Sequence, residues 1–213
     1  MELARLAELL RPFTAAALSR EQLADVSNYL ELLLRWNARV NLTAVRDPEP
    51  MVTRHLGESL FAAAQLLPEG DGLLHALDVG SGAGFPGLPL KIHAPGLRLT
   101  LIESRQKKAV FLKEVVRALH LRDVNVFAGR AEDFPGRADL VTLRAVERFA
   151  NVLPVAASLL RAEAATPGRP SRLAILVGRG QVEQARALLP GLRWQPPIAI
   201  PQSVARVLLV GSH

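Results

Sequence analysis

The stretch of sequence that decides the fold is LLHALDVGSGAGFPGLPLKI, residues 73–92. An apolar run ends at Asp78-Val79 and breaks into GSGAGFPG, with four glycines in eight residues. An apolar run, a glycine-rich loop and a helical pattern, in that order, are typical of the first strand, loop and helix of a nucleotide-binding α/β sheet. Because glycine lacks a side chain, we expect a ligand to approach the backbone of this loop.

The rest of the chain from residue 73 onward repeats this rhythm. The predicted strands are 73–79, 97–103, 124–129, 138–143 and 172–178, and the predicted helices are 86–93, 104–120, 148–163 and 181–189. Strands that alternate with helices predict a parallel sheet covered on both faces. The segment IAIPQSVARVLLV, residues 198–210, holds two extended runs too close for a crossover helix, so we expect an antiparallel hairpin at one sheet edge. The composition of residues 164–171 predicts an exposed loop.

Helices are predicted before this region. Leucines recur at helical spacing in residues 3–13 and again in residues 23–34. Ser19 and Gln22 form a capping-box pattern at the start of the second helix. A polar segment, residues 36–50, precedes a third helix over 49–67, and LPEGDG at 67–72 predicts a turn. We therefore expect an N-terminal helical cap, residues 1–70, on an α/β domain, residues 71–213.

The charge of the chain is unevenly distributed. Residues 1–136 hold 16 basic and 16 acidic side chains, whereas residues 137–213 hold 10 and 4, so the formal charge of +6 lies in the last third. This segregation favours a polyanionic partner such as RNA. The chain has no cysteine, which excludes disulfides and is compatible with a reducing compartment.

The sequence predicts no membrane span, because no stretch reaches about 18 consecutive apolar residues. The first residues, MELARLAELLRPF, carry charges among their leucines and predict a helix rather than a signal peptide. We expect a cytoplasmic protein that acts as a monomer.

Two ligands fit the glycine loop. The spacing from Gly82 to Gly87 satisfies G-x-G-x-x-G, the dinucleotide pattern. However, Asp78 stands two residues before Gly80, and an acid there suits the cationic end of S-adenosylmethionine better than a pyrophosphate. Glu103, at the end of the second strand, is placed to accept the ribose hydroxyls of either ligand. Acids after the third strand, Glu132 and Asp133, can accept the adenine amine, which favours S-adenosylmethionine.

The chain resembles the RsmG (GidB) methyltransferases, which make N7-methylguanine in bacterial small-subunit ribosomal RNA. The resemblance covers about residues 36–146, in the motifs WNARVNLTAV, RHLGESL, LDVGSGAGFPGLPLKI, LIESRQKKAVFLKEV, GRAEDF and DLVTLRAV. It implies a Rossmann-like seven-stranded methyltransferase sheet with a helical cap. It also implies S-adenosylmethionine as cofactor, with contacts to Gly80, Phe85, Glu103, Ala131, Glu132 and Arg144.

The predicted chemistry needs few catalytic groups. N7 of guanine carries an exposed lone pair and no proton, so we expect alignment by the protein and no general base. The five histidines lack ligand spacing, so no metal is expected. Arg144, after the fourth strand, is the candidate positioning residue. Its partner could be the cofactor carboxylate, O6 of guanine or, in a purely structural role, Glu147.

Several other residues have two possible roles. His55 is expected to hold the cap to the sheet, and Trp36 to lie in the core. Turn formation and contact with the target base account equally well for Asn37 and Asn41. Two rival functions are an NAD-dependent oxidoreductase, for which the single tyrosine, Tyr29, lacks a Tyr-x-x-x-Lys context, and a non-catalytic RNA-binding or ribosome-assembly protein.

Overall fold

The computed structural model describes residues 1–67, 74–145, 148–162 and 170–213. Within these ranges the helices are α1 (Leu3–Leu10), α2 (Arg20–Val40), α3 (Pro48–Met51), α4 (Glu58–Leu66), α5 (Gly87–His93), α6 (Gln106–Ala118), α7 (Phe149–Ser158) and α8 (Val182–Leu188). The strands are β1 (His75–Val79), β2 (Arg98–Ile102), β3 (Val124–Phe127), β4 (Leu140–Arg144), β5 (Arg172–Gly178), β6 (Arg193–Trp194), β7 (Ile198–Ala199) and β8 (Arg206–Ser212).

The strands of the described residues form one eight-stranded sheet in the order β3-β2-β1-β4-β5-β8-β6, with β7 also paired to β8. Strands β1 to β5 are parallel, and β8 runs antiparallel to β5. The chain winds outward from β1 to β3 and then returns to place β4 on the other side of β1. In such a sheet the helices that follow β1 and β4 lie on opposite faces, and a crevice opens between them beyond the carboxyl ends of the strands.

The predicted α/β architecture with an antiparallel edge is confirmed. Each predicted strand from residue 73 onward overlaps an observed strand, and β7 and β8 form the predicted antiparallel pair. Arg193–Trp194 adds a short strand, β6, so the sheet has eight strands where seven were expected. Two residues are too few for an alternating pattern, so the sequence offered no signal for β6. The predicted loop at 164–171 lies almost entirely outside the described residues.

The capping box at Ser19 is confirmed. The Ser19 hydroxyl accepts a hydrogen bond from the backbone of Gln22, and the Gln22 side chain accepts one from the backbone of Ser19. Helix α2 then extends to Val40, beyond the predicted start of the polar segment at residue 36. Trp36 explains this extension, since its ring packs 5.7 Å from the ring of Phe111 and adds an apolar contact on the buried face of α2. Asn41 closes the helix in the left-handed region, with φ of 49°.

The third predicted helix is present but not uniform. Between α3 and α4 the segment Val52–Gly57 is π-helical, which the sequence did not predict. A π turn widens the helix and leaves backbone carbonyls available to other partners, and such turns are frequent at functional sites. Position 57 requires glycine, because a Cβ atom there would lie 2.6 Å from the ring of Phe13.

The core of the cap continues into the core of the sheet. One cluster of buried side chains includes Leu6 and Tyr29 of the cap together with Leu88 and Phe111 of the α/β part. A second cluster fills the opposite face of the sheet, between the strands and the helices α7 and α8. The predicted boundary at residues 70/71 lies outside the described residues, so the division into two domains stays a prediction. In the described ranges, no helix combines the length and apolar character needed to cross a bilayer.

Two glycines of the GSGAGFPG loop are required by the protein's own side chains. A Cβ atom on Gly84 would lie 2.4 Å from Leu88, and its φ of 95° is strained for any other residue. A Cβ atom on Gly87 would lie 2.6 Å from Leu101 and 2.9 Å from Asp78. At these two positions, side chains packed beneath the loop leave no room for a Cβ atom. The reason expected from the sequence was different, namely the close approach of a ligand to the backbone.

Substitution of Gly87 by alanine is expected to destabilise the fold. The added methyl group must displace Leu101 and Asp78, and overpacking of this kind costs about 1–3 kcal/mol. Gly191→Ala is the matched control, since nothing lies within 4 Å of its added Cβ atom. Urea denaturation should show a lower free energy of unfolding for Gly87→Ala and no loss for Gly191→Ala. Equal stabilities for the two variants would contradict this account of the loop.

Candidate functional site

A cavity of about 720 Å³ opens at the switch point of the sheet, beyond the carboxyl ends of β1 to β4. Its walls come from the segments that follow these strands, from the loop after α2 and from the π segment. The lining residues that the sequence singled out are Gly80, Gly82, Phe85, Glu103, Ala131, Glu132, Arg144 and His55. The fold therefore brings together residues from His55 to Arg144, about 90 positions of the chain, around one cavity.

The floor of the cavity is the loop after β1. The backbone amides of Gly80 and Ser81 both donate to the carbonyl of Ile102, at 2.9 and 3.0 Å, which ties the loop to β2. Gly80 and Gly82 take positive φ values of 69° and 58°. Glu103, which is 6% exposed, accepts from the Gly82 amide at 2.9 Å and from the Arg105 amide at 2.7 Å. Each Glu103 oxygen thus holds one backbone donor and keeps a further lone pair for a ligand in the cavity.

Asp78 supports the loop from beneath and does not line the cavity. Its side chain is fully buried, and its carboxylate accepts from the Gly87 amide at 3.3 Å and from the Thr142 hydroxyl at 2.9 Å. Burial raises the pKa of Asp78 to about 6. Asp78 therefore holds the start of α5 and the end of β4 together beneath the loop. Its expected contact with the cationic end of the cofactor stays a prediction.

The two acids after β3, Glu132 and Asp133, differ in whether they line the cavity. Residues Ala131–Asp133 form one 3₁₀ turn, which places Ala131 and Glu132 on the cavity wall. Asp133 is exposed and is not part of the lining. Only Glu132 is thus positioned to meet a ligand. Phe85 forms part of the opposite wall, with its ring stacked 5.1 Å from the ring of His55.

Arg144 lines the cavity, but the contacts that hold it come from the cap. Its guanidinium donates to the carbonyls of Arg54 and His55 in the π segment, and it lies 3.1 Å from the Glu58 carboxylate. Arg206, at the start of β8, binds the other oxygen of Glu58. Burial lowers the pKa of Arg144 to about 10, which still leaves it charged at neutral pH. The anionic partner that Arg144 requires is therefore Glu58, which the sequence reasoning missed. Glu147 lies outside the described residues.

His55 joins the cap to the sheet, as predicted. Its Nδ1 lies 3.1 Å from the Arg144 guanidinium, and its Nε2 lies 2.7 Å from the hydroxyl of Thr43. Burial lowers the pKa of His55 to about 3, and the positive charge of Arg144 acts in the same direction. His55 is consequently neutral at physiological pH.

The two asparagines of the WNARVNLT motif have structural contacts. Asn37 is buried, accepts from the Thr43 amide at 2.8 Å and donates to the Val45 carbonyl at 3.2 Å. Asn41 caps α2 and is absent from the cavity lining. Asn37 therefore shapes the loop that carries Thr43, another lining residue that the sequence reasoning did not single out.

The chemical capacity of the site is binding and alignment. Within the described ranges, no group of three or more histidine, aspartate or glutamate side chains could hold a metal ion. Neutral His55 has both ring nitrogens in contact with protein groups, and Glu103 is held by backbone amides. The rim of the cavity is basic, with Arg105, Lys108, Arg130 and Arg148 among its lining residues. The geometry suits a nucleotide-like ligand inside and a phosphate-rich partner outside.

Comparison with known proteins identifies relatives by sequence. Residues 22–166 match the profile of the GidB family, described as rRNA small subunit methyltransferase G. A Ribosomal RNA small subunit methyltransferase G of Stenotrophomonas maltophilia is 48% identical over 135 residues, which are 62% of this chain and 61% of that protein. A protein of the same name from Xanthomonas oryzae pv. oryzae is 45% identical over 157 residues, 73% of this chain and 72% of that protein.

Solved structures share the fold. A magnesium protoporphyrin IX methyltransferase from Synechocystis aligns with a TM-score of 0.64 at 16% identity, over 94% of this chain and all of that one. A ribosomal protein L11 methylase from Lactobacillus delbrueckii subsp. bulgaricus aligns with a TM-score of 0.59 at 12% identity, over 76% of this chain and 79% of that one. At these identities the likeness shows a methyltransferase fold and says nothing about the substrate.

The neutral state of His55 should make the protein sensitive to acid. Because the folded-state pKa lies below the ordinary value near 6.5, the unfolded chain takes up this proton first as the pH falls. The His55 contribution to the free energy of unfolding should therefore decrease from about pH 6.5 toward pH 3, by up to about 2 kcal/mol between pH 7 and pH 5. Asp78, whose pKa burial raises to about 6, contributes in the opposite direction, so the His55 effect is read from the difference between wild type and a His55 variant.

Urea denaturation at pH 7 and pH 5 tests this expectation, with His55→Gln as the comparison, since glutamine does not titrate. Wild type should lose more stability than His55→Gln between the two pH values. A wild-type loss equal to that of His55→Gln would show that His55 does not contribute.

Proposed function

The chain belongs to the GidB family, and on that premise we propose that it transfers a methyl group from S-adenosylmethionine to N7 of a guanine in small-subunit ribosomal RNA. The observation that carries the proposal is the cavity at the switch point of the sheet, with an intact glycine loop and Glu103 on its walls. The names of the relatives support the RNA and the subunit. The choice of N7 rests on the resemblance to the RsmG (GidB) methyltransferases.

The residues on the cavity walls fit S-adenosylmethionine. A volume of about 720 Å³ falls within the range of small-molecule sites, roughly 300–1,000 Å³. Glu103 would accept the ribose hydroxyls with its remaining lone pairs, and the backbone at Gly80 and Gly82 would lie along the methionine end. Glu132 would face the adenine amine. Bound there, the cofactor supplies an electrophilic methyl group on a sulfonium.

The task left to the protein is alignment. Guanine N7 carries no proton at neutral pH, so no group on the cavity wall has to remove one. Phe85 and His55 supply flat, uncharged surfaces beside the floor of the cavity, which exclude water from the reacting atoms. His55 suits this role because it stays neutral and does not repel a sulfonium.

Arg144 is proposed as a positioning residue. Its charge is balanced by Glu58, so its guanidinium can border a cationic cofactor at less electrostatic cost than a bare arginine. The contact of Arg144 with either the cofactor carboxylate or guanine O6 stays a prediction. Its hold on the π segment supports a role in keeping the cap against the cavity.

The partner is proposed to be RNA held by phosphate contacts at the carboxyl edge of the sheet. Arg148, which precedes α7 at the cavity rim, and Arg179, which follows β5, are exposed and form no ion pair within the described ranges. Both lie at the same edge as the cavity, because β1, β4 and β5 are parallel. We propose that the protein acts as a monomer, in the cytoplasm where ribosomal RNA is processed.

The rival functions have less support. In the NAD-dependent alternative a tyrosine would act on the substrate, but Tyr29 is fully buried and its hydroxyl donates to the Ala83 carbonyl beneath the glycine loop. In the non-catalytic alternative the loop would have lost its form, whereas Gly80, Gly82 and Glu103 are in place around the cavity.

One set of experiments tests both the methyltransferase activity and the guanine atom that is methylated. The protein should methylate small-subunit ribosomal RNA taken from cells that lack the gene, and mass spectrometry of the digested RNA should detect N7-methylguanosine. RNA transcribed with 7-deazaguanosine, in which a C–H replaces N7, should accept no methyl group. Calorimetry should show binding of S-adenosylhomocysteine and none of NADH. Methylation of the 7-deaza RNA, or a different methylated nucleoside, would refute the N7 assignment.

The salt dependence of RNA binding tests the basic edge. Substitution of both Arg148 and Arg179 by glutamine should lower the magnitude of the slope of log K against log salt by about 1.4–1.8, since each phosphate contact contributes roughly 0.7–0.9. Arg98→Gln with Arg193→Gln is the matched control. It makes the same change in charge at exposed positions on the opposite edge of the sheet. Equal slopes for the two double variants would place the RNA elsewhere.

A further inference from the structure

Thr43 has an unusual position for a residue that follows the first long helix. It lies in the loop after α2, it is half-buried, and it lines the cavity. Its hydroxyl oxygen lies 2.7 Å from Nε2 of His55 and accepts a hydrogen bond from the Val45 amide at 3.2 Å. Its own amide donates to Asn37 at 2.8 Å, which fixes the backbone of the loop.

The direction of the hydrogen bond between His55 and Thr43 follows from Arg144. A guanidinium has only donors, so a ring nitrogen that faces it at 3.1 Å must present a lone pair. Nδ1 of His55 therefore carries no proton. A neutral imidazole has one N–H, which must then be on Nε2, and this N–H donates to the Thr43 oxygen.

The Thr43 hydroxyl is consequently committed as an acceptor on both sides. A hydroxyl has two acceptor lone pairs and one proton. His55 and Val45 occupy the two lone pairs, and within the described ranges no protein group accepts the Thr43 proton. The remaining O–H is therefore available to a ligand, and Thr43 lines the cavity in which a ligand would lie.

The geometry points to Thr43 as a hydrogen-bond donor to an oxygen of the ligand in the cavity, oriented by the relay from Arg144 through His55. This inference rests on the proposed function, which supplies two oxygens of the right chemistry, the methionine carboxylate of the cofactor and O6 of the guanine. In either case the relay gives Arg144 an indirect influence on the ligand, through hydrogen bonds that polarise one another. Thr43 acts here as a binding residue and takes no part in proton transfer.

The test compares Thr43→Val with Thr43→Ser, since valine keeps the shape and removes the hydroxyl, whereas serine retains it. Two ligand pairs identify the acceptor. S-adenosylhomocysteine has the carboxylate and 5′-methylthioadenosine lacks it, so their dissociation constants are measured by calorimetry without RNA. Guanine has O6 and 2-aminopurine lacks it, so kcat/KM is measured on small-subunit RNA carrying either base at the mapped position.

If the carboxylate is the acceptor, Thr43→Val should weaken S-adenosylhomocysteine binding by about tenfold or more and leave 5′-methylthioadenosine binding unchanged. If O6 is the acceptor, cofactor affinity should survive, kcat/KM on guanine RNA should fall by about tenfold, and activity on 2-aminopurine RNA should equal that of wild type. Thr43→Ser should stay close to wild type in both cases.

Two results would overturn the inference. One is a Thr43→Val protein with wild-type values for every ligand. The other is a loss that is equal for both members of each pair, which would indicate a disturbed loop rather than a missing donor. Failure of wild type itself to bind S-adenosylhomocysteine would instead contradict the proposed function, so the two failures are distinguishable.

Discussion

The ion pair between Glu58 and Arg144 is the interaction on which the arrangement of the cavity depends. Glu58 is 2% exposed, and burial raises its pKa, so its charge is tolerated only because two arginines compensate it. Arg144 ends β4 and Arg206 begins β8, whereas Glu58 begins α4. One carboxylate thus joins the cap to two strands of the sheet. Removal of one member of a buried pair commonly costs about 3–5 kcal/mol, because the other charge is left without a partner.

The π segment makes this junction possible. A regular α-helix over residues 52–57 would keep its carbonyls within the helical ladder, whereas the wider turn allows those of Arg54 and His55 to accept from Arg144. The same turn presents His55 between the arginine and Thr43. The local irregularity of the cap therefore determines how the guanidinium is held and, through His55, how the wall of the cavity is polarised.

The glycine loop is shaped from two sides. Beneath it, Asp78 accepts from the first amide of α5, and Tyr29 donates to Ala83, so the packing of the protein sets the path of the backbone. Above it, Gly80 and Gly82 adopt positive φ values at the cavity floor, and Glu103 holds the Gly82 amide. A site assembled in this way holds its binding groups in place before the ligand arrives, which is the condition for catalysis by alignment.

Local patterns were sufficient for much of the fold and for part of the site. The alternation of strands and helices, the capping box at Ser19 and the glycine loop after β1 are encoded by neighbouring residues, so the sequence alone determined the parallel sheet and the edge where the cavity opens. The same pattern located Glu103 and Glu132, because residues that follow parallel strands meet at one edge, and the family resemblance added Ala131. The sequence also indicated that His55 holds the cap to the sheet.

Only the tertiary structure decided which groups meet across long separations. The partners of Arg144 lie 86 to 90 positions earlier in the chain, and Arg206 lies at the far end of it. No periodicity records such a pairing, because it depends on how the cap packs on the sheet. The direction in which Asp78 points, the tautomer of His55 and the free proton of Thr43 were likewise undetermined by sequence, since each follows from the donors and acceptors that packing places within about 3 Å.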